Sequence, residues 1–225
     1  MKKLLSAVLS LALLGLGGTA LAAEDIVNTL HNLSSSAPVG NFYQTTSTAS
    51  VCVFCHSPHT TTAAPKPLWN RGASAATYTM YNDTVSSTID MTVEAQPVGV
   101  SLACLSCHDG TVAFDVLING AGSGGFNPAG ADQGWAWGAN GDLIANTRVT
   151  HLGNDLTGDH PISITYDNVA DTAFNAAVAG KVGTLPLYTN RVECGSCHNP
   201  HEADNATFLR VANAASVLCT TCHIK

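Results

Sequence analysis

The chain has 225 residues, of which 16 are acidic and 9 are basic, so its formal net charge is −7. An acidic chain with so few cations is not attracted to nucleic acid, and we exclude nucleic acid as a partner. Charged residues make up only 11% of the chain. A surface of mostly small and polar side chains suits a protein that packs against copies of itself better than a shuttle steered by charge.

The first 22 residues have the parts of an export signal. Lys2 and Lys3 begin it, an apolar run covers residues 4–16, and small residues lead up to Ala22. The run is shorter than the roughly 20 residues that span a bilayer, so we expect cleavage after Ala22 and no membrane span in the mature chain. Cleavage would lower the net charge to about −9. We therefore predict a signal peptide over residues 1–22 and one exported domain over residues 23–225.

All eight cysteines occur in Cys-x-x-Cys-His units. The four units are Cys52-Val-Phe-Cys55-His56, Cys104-Leu-Ser-Cys107-His108, Cys194-Gly-Ser-Cys197-His198 and Cys219-Thr-Thr-Cys222-His223. This is the attachment signature of c-type haem, in which the two thiols bind the vinyl groups of one porphyrin and the histidine ligates the iron. Zinc ribbons and redox dithiols also use Cys-x-x-Cys, but they do not need a histidine after every pair. We predict four covalently attached haem c groups.

Five further histidines could supply second axial ligands. They are His31, His59, His151, His160 and His201. His59 and His201 each follow a proximal histidine by three residues, which is too close to reach the opposite face of the same iron. We therefore expect each of them to ligate a different haem, which would bring neighbouring porphyrins into near contact.

His31 and His160 are the other two predicted distal ligands, and His151 is the spare, expected in an exposed loop. The predicted metal ligands are thus the proximal His56, His108, His198 and His223 and the distal His31, His59, His160 and His201. Because two imidazoles on every iron leave no position for a substrate, we expect electron transfer rather than an enzyme, with no catalytic residue.

The predicted fold is a mostly irregular coil with a few short helices and a small β-hairpin, wrapped around a stacked haem chain. Roughly 50 residues per haem are too few for a conventional core. Helices are predicted over residues 213–223 and 171–181. The hairpin is predicted over residues 134–144, with Trp135 and Trp137 packing on it rather than relaying electrons.

The order of the motifs and their flanking residues resembles the tetrahaem cytochromes of the OmcE type. The matching stretches are IVNTLHNLS (26–34), VCVFCHSPH (51–59), PLWNR (67–71), CLSCHDGTVA (104–113), DHPIS (159–163), ECGSCHNPHE (193–202) and LCTTCH (218–223). The resemblance extends over nearly the whole mature chain. The haem motifs alone are common to multihaem cytochromes, whereas their order and flanking residues are specific.

The resemblance implies an extracellular cytochrome of metal-reducing microbes that polymerises into filaments with a continuous haem chain. Its haems would all be bis-histidine, in alternating parallel and T-shaped contacts, and would carry electrons to minerals or partner cells. In filament-forming relatives one haem can take its distal histidine from the next subunit, and His31 or His59 would be the candidates here. His151 departs from this pattern as a fifth, unassigned histidine.

Three functions follow from the sequence. The first is an extracellular filament, a homopolymer that passes electrons to other multihaem cytochromes or to extracellular acceptors. The second is a monomeric periplasmic electron shuttle. The third is a multihaem reductase, which would need one haem with an open axial site, and the supply of histidines argues against it.

Overall fold

The computed structural model describes residues 26–58, 68–120 and 126–224. The predicted signal peptide over residues 1–22 and the predicted ligand His59 lie outside these ranges. Within them the longest helix has 10 residues and the longest strand has 7, and most of the remaining chain is turn or coil. This confirms the predicted fold class of irregular coil with a few short helices and small antiparallel strand pairs.

The helices are short and three of them contain a cysteine motif. Their bounds are α1 Gly99–His108, α2 Cys194–Cys197 and α3 Val217–Cys222, with 3₁₀ turns at Ile26–Asn28, Cys52–Phe54, Ala206–Phe208 and Ala214–Ser216. Helix α1 begins at Gly99, whose φ of +54° favours glycine. No helix among the described residues is long and apolar enough to cross a membrane.

The strands form three separate antiparallel pairs. They are β1 Val116–Asn119 with β2 Phe126–Asp132, β3 Ile164–Thr165 with β6 Arg191–Val192, and β4 Lys181–Val182 with β5 Leu185–Pro186. The register of β1 and β2 shifts between Leu117 and Asn119. Pairs this short are only marginally stable alone, so they depend on contacts with the surrounding loops.

The helix predicted over residues 213–223 is confirmed only over α3, Val217–Cys222, because Ala215 and Ser216 have left-handed φ values of +51° and +61° that separate it from the 3₁₀ turn before it. The helix predicted over residues 171–181 is wrong. The Asp171 carboxylate accepts a hydrogen bond of 2.9 Å from the Ala173 N–H, a local turn that competes with a helix. Lys181, the predicted last residue of that helix, instead begins strand β4.

The hairpin predicted over residues 134–144 is also wrong. A turn does form there, with the Gly141 N–H donating to the Gly138 carbonyl at 3.0 Å. The segments on its two sides, however, pair with other parts of the chain and not with each other. Trp137 bridges to Thr45, and the Asp142 carbonyl accepts a bond from the Phe114 N–H.

The buried apolar residues form two small clusters. One contains Tyr78, Met80, Leu105 and Leu156, and the other contains Val53, Phe54 and Leu117. Trp135 and Trp137 pack against the second cluster, with ring centroids 5.7 and 6.1 Å from that of Phe54. The two tryptophans therefore pack, as predicted, but on the residue inside the first cysteine motif and not on a hairpin.

Candidate haem sites

Each cysteine motif lies on a single helical turn. The first is on the 3₁₀ turn Cys52–Phe54, and the others are on α1, α2 and α3. Residues three apart on such a turn lie on the same face, so both thiols of a pair can reach one ligand. All eight cysteines are free of disulfides. The chain therefore offers four pairs of thiols, each pair followed at once by an imidazole.

Three of the motif histidines are held by the same backbone arrangement. Each histidine has a partner residue elsewhere in the chain. The N–H of the residue after the histidine donates to the carbonyl of the residue before the partner. In return, the N–H of the residue after the partner donates to the carbonyl of the residue before the histidine. All six of these N···O distances lie between 2.7 and 2.9 Å. The bridges pair His56 with Trp69, His198 with Leu209 and His223 with Phe174. Sequence analysis missed these partners, because no local pattern connects Phe174 to a residue near position 223.

His108 ends helix α1 and is held differently. Its Nδ1 lies 2.8 Å from the Thr150 carbonyl, and its own carbonyl accepts a bond of 2.7 Å from the Leu152 N–H. The Nδ1 of His198 likewise lies 2.8 Å from the Thr207 carbonyl. A carbonyl only accepts, so Nδ1 carries the proton in both rings. This tautomer leaves Nε2 with the lone pair that a metal needs.

Three pairs of histidine rings lie at nearly the same distance, one with nearly parallel ring planes and two meeting edge-on. The ring centroids are 6.3 Å apart for His31 and His108, 6.2 Å for His56 and His201, and 6.3 Å for His160 and His223. A ligating ring nitrogen lies about 2 Å from a metal and the ring centre roughly 1 Å beyond it, so two rings on opposite sides of one ion are about 6 Å apart. Each pair joins one predicted proximal ligand to one predicted distal ligand.

The distal histidine His201 faces a motif other than its own. It follows His198 by three residues, yet its ring lies opposite His56 of the first motif, with the two ring planes 17° apart. Within the described part of the chain, no histidine ring faces His198 at a comparable distance. The other histidine with the same spacing, His59, is outside that part.

The environment of His31 favours a neutral ring. Its pKa is lowered to about 4, mainly by burial and in smaller part by the nearby His108, His201 and His198. Its Nδ1 is buried and has no hydrogen-bond partner among the described residues. Burial also lowers the pKa of His108. A neutral imidazole is the form that binds a metal, so this environment fits a ligand pair.

His151 is not the exposed loop histidine that the sequence suggested. Its ring is half-buried against Gly110, where an added Cβ would come within 2.4 Å of Nε2. It stands between Thr150 and Leu152, the two residues that hydrogen-bond to His108. The structure therefore places this fifth histidine beside the second motif. No sequence signal indicated this position.

Contacts between cysteines give the spatial order of the motifs. Cys55 interacts electrostatically with Cys107, and Cys197 with Cys222. The thiols of Cys104 and Cys194 also influence each other's pKa. The first motif is therefore next to the second, the second next to the third, and the third next to the fourth.

A buried carboxylate joins the second and third motifs. Ser101 on α1 donates its hydroxyl to Glu193, and the same hydroxyl accepts a bond of 2.9 Å from the Cys194 N–H. Ser163 donates a second hydroxyl to Glu193 at 3.0 Å. Burial raises the pKa of Glu193, and its hydrogen bonds partly oppose this. Sequence analysis did not select Glu193 for this role, although it directly precedes Cys194.

The chemistry of these residues fits covalently attached haem c. Paired free thiols beside a histidine can bind a porphyrin, and two imidazoles can occupy both axial positions of an iron. Among the described residues, no three or more His, Cys, Asp or Glu side chains converge as a zinc site would require.

Comparison with known proteins agrees with this chemistry. The profile of the doubled CXXCH motif family matches residues 188–225, which contain the third and fourth motifs. No curated protein matches the chain. The CXXCH motifs indicate covalently attached haem c, and the chain is similar to multihaem c-type cytochromes.

Proposed function

We propose that the protein transfers electrons by means of four bis-histidine haem c groups and serves as a subunit of an extracellular filament. The observation that carries the first part is the set of three opposed imidazole pairs, 6.2 to 6.3 Å between ring centroids. Haem c supplies an iron that takes up and releases one electron. The protein's own residues attach it, ligate it and set its surroundings.

The ligand pairs favour a carrier over an enzyme. When His56 and His201 both bind one iron, neither axial position is left for a substrate, and the same holds for the other two pairs. The hydrogen bonds from Nδ1 to backbone carbonyls hold the rings of His108 and His198 in one orientation. A reductase would need at least one haem without a second histidine ligand. Among the described residues, His198 is the one motif histidine without a paired histidine ring, so only the third motif leaves a reductase possible.

The order of the motifs supports a continuous path along the chain. The Ser101 hydroxyl donates to Glu193 and accepts from the Cys194 N–H, which holds the helices of the second and third motifs together. A path that runs from the first motif to the fourth suits a protein that receives electrons at one end and passes them on at the other.

The filament part of the proposal depends on the ligand of the third motif. His31 faces His108 of its own chain, which leaves His59 as the N-terminal histidine that could be donated to a neighbour. We assign His59 to the iron beside His198, from the next subunit. Donation within one chain would give the monomeric periplasmic shuttle, which is the second candidate.

A size measurement on exported holoprotein separates these candidates. Wild-type protein is compared with His59→Ala and with His151→Ala as the matched control, after the haem content of each has been measured by mass spectrometry. The proposal predicts long polymers for the wild type and the control and shorter species for His59→Ala. Monomeric wild type with four six-coordinate haems would refute the filament and support the shuttle, while fewer than four haems would refute the proposed cofactor content.

A further inference from the structure

Arg71 is a buried cation without an acidic partner among the described residues. Only 2% of the residue is exposed, and its guanidinium donates to a hydroxyl and four carbonyls. The acceptors are the Ser106 hydroxyl at 3.1 Å and the carbonyls of Ser106, Phe114, Val112 and Ala113 at 2.8, 2.7, 3.2 and 3.0 Å. Among the described residues, the one ion pair of an arginine or lysine with a carboxylate joins Arg191 to Glu94.

Arg71 lies between the first and second cysteine motifs. Two residues before it, Trp69 forms the backbone bridge to His56 of the first motif. Its guanidinium reaches Ser106, which stands between the two cysteines of the second motif. Burial raises the pKa of both Cys55 and Cys107, and the charge of Arg71 opposes this at both thiols. The field of one guanidinium therefore reaches both attachment sites.

Two buried acids lie nearby, and neither forms an ion pair with Arg71. Asp109 accepts a bond of 2.6 Å from the Tyr78 hydroxyl and bonds from Thr111. The Asp115 carboxylate accepts a bond of 2.9 Å from the Trp135 N–H. The thioether edge of a haem c is also the edge farthest from its propionates. Asp109 acts on the Cys107 thiol in the direction opposite to Arg71, and Asp115 Oδ1 has no hydrogen-bond partner among the described residues. The groups that contact the guanidinium itself are a hydroxyl and carbonyls, which carry no net charge.

We propose that Arg71 raises the reduction potential of the haems held by the first and second motifs, so that these are the first to be reduced. This rests on the proposed haem attachment. Reduction adds one negative charge, and a fixed positive charge in a poorly screened interior stabilises that state. By this inference Arg71 directs electrons toward the N-terminal end of the haem chain without touching an iron.

Redox titration of the holoprotein, followed by its visible spectrum, tests the role of the charge. Arg71→Gln removes the charge, while Arg71→Lys keeps it but loses the planar set of hydrogen bonds. Lys181→Gln is the control, because it removes one positive charge from an exposed position. We expect Arg71→Gln to lower the reduction equilibrium constant of the haems with the highest potentials about tenfold. For a one-electron step this is a decrease of about 59 mV in potential. The Lys variant and the control should stay near the wild type.

Two results would overturn the inference. One is an equal shift in the Gln and Lys variants, which would mean a purely structural role, and the other is no shift in a Gln variant that carries four haems. If the Gln variant does not fold, wild-type protein decides, by NMR assignment of the haem that is reduced at each potential. Reduction of a haem of the third or fourth motif first would refute the inference. A wild type with fewer than four haems would refute the proposed function instead.

Discussion

Replacing His201 by alanine should alter the haem of the first motif and leave the haem attached beside it intact. The His201 ring faces His56 at 6.2 Å, although it follows His198 in the sequence. Removing it takes one of two axial ligands from a single iron. That iron becomes five-coordinate, and a ferric haem with one imidazole is expected to be high-spin.

The size of the effect follows from the ligand pairs. One of the four irons is affected, so about a quarter of the ferric signal should change from low-spin to high-spin. The other pairs, His31 with His108 and His160 with His223, share no residue with the altered one. Attachment through Cys52 and Cys55 does not involve His201, so the mass of the variant should still show every haem.

Electron paramagnetic resonance with spin quantification measures this fraction. His151→Ala is the matched control, because its ring lies against Gly110 and Gly153 and, within the described part of the chain, forms no ring pair with a motif histidine. It should keep the wild-type low-spin signal. Spectra of the His201 variant in which the altered haem is the one attached at Cys194 and Cys197 would refute the cross-ligation. An unchanged spectrum would show that His201 is not a ligand.

Three further results are expected. Replacing Ser101 by alanine removes a hydrogen bond to a buried carboxylate and should lower the free energy of unfolding by about 1.5–3 kcal/mol, measured by denaturation of the holoprotein; an unchanged midpoint would contradict the role of this contact. The raised pKa of Glu193 means that the folded state binds its proton more tightly than the unfolded state does. The contribution of Glu193 to stability therefore falls as pH rises above the ordinary carboxyl range through its folded pKa. Glu193→Gln should remove this pH dependence from unfolding curves recorded at several pH values. Replacing Gly110 by alanine should cost about 1–2 kcal/mol for the φ of +71° alone. The His151 ring, which an added Cβ would meet, should make the loss of stability larger than this, and adding His151→Ala to the Gly110 variant should relieve the extra loss. An extra loss that persists in the double variant would argue against the close approach of the His151 ring.

The motifs and the candidate ligand residues could be identified from the sequence because covalent haem attachment needs a fixed local spacing. The spacing of His198 and His201 also predicted that the second ring serves another motif, and the structure brings it opposite His56. These inferences depend on residues a few positions apart. They therefore hold whatever path the intervening chain takes.

The remaining features depend on contacts between distant residues. The bridge from Phe174 to His223 and the hydrogen bond from Ser101 to Glu193 join segments that share no sequence pattern. The segment at residues 171–181 reads as a helix because its capping pattern is local, but Lys181 pairs with Pro186 in β4 and β5 instead. In a chain with few long elements, such pairings override local propensity.

The pairing of axial ligands is the central claim, and a density map of the assembled holoprotein that resolves the ligands of every iron tests it most directly. The account predicts one iron between His31 and His108, one between His56 and His201, and one between His160 and His223. A map in which any of these irons binds a different second ligand, or holds an open position, would contradict it.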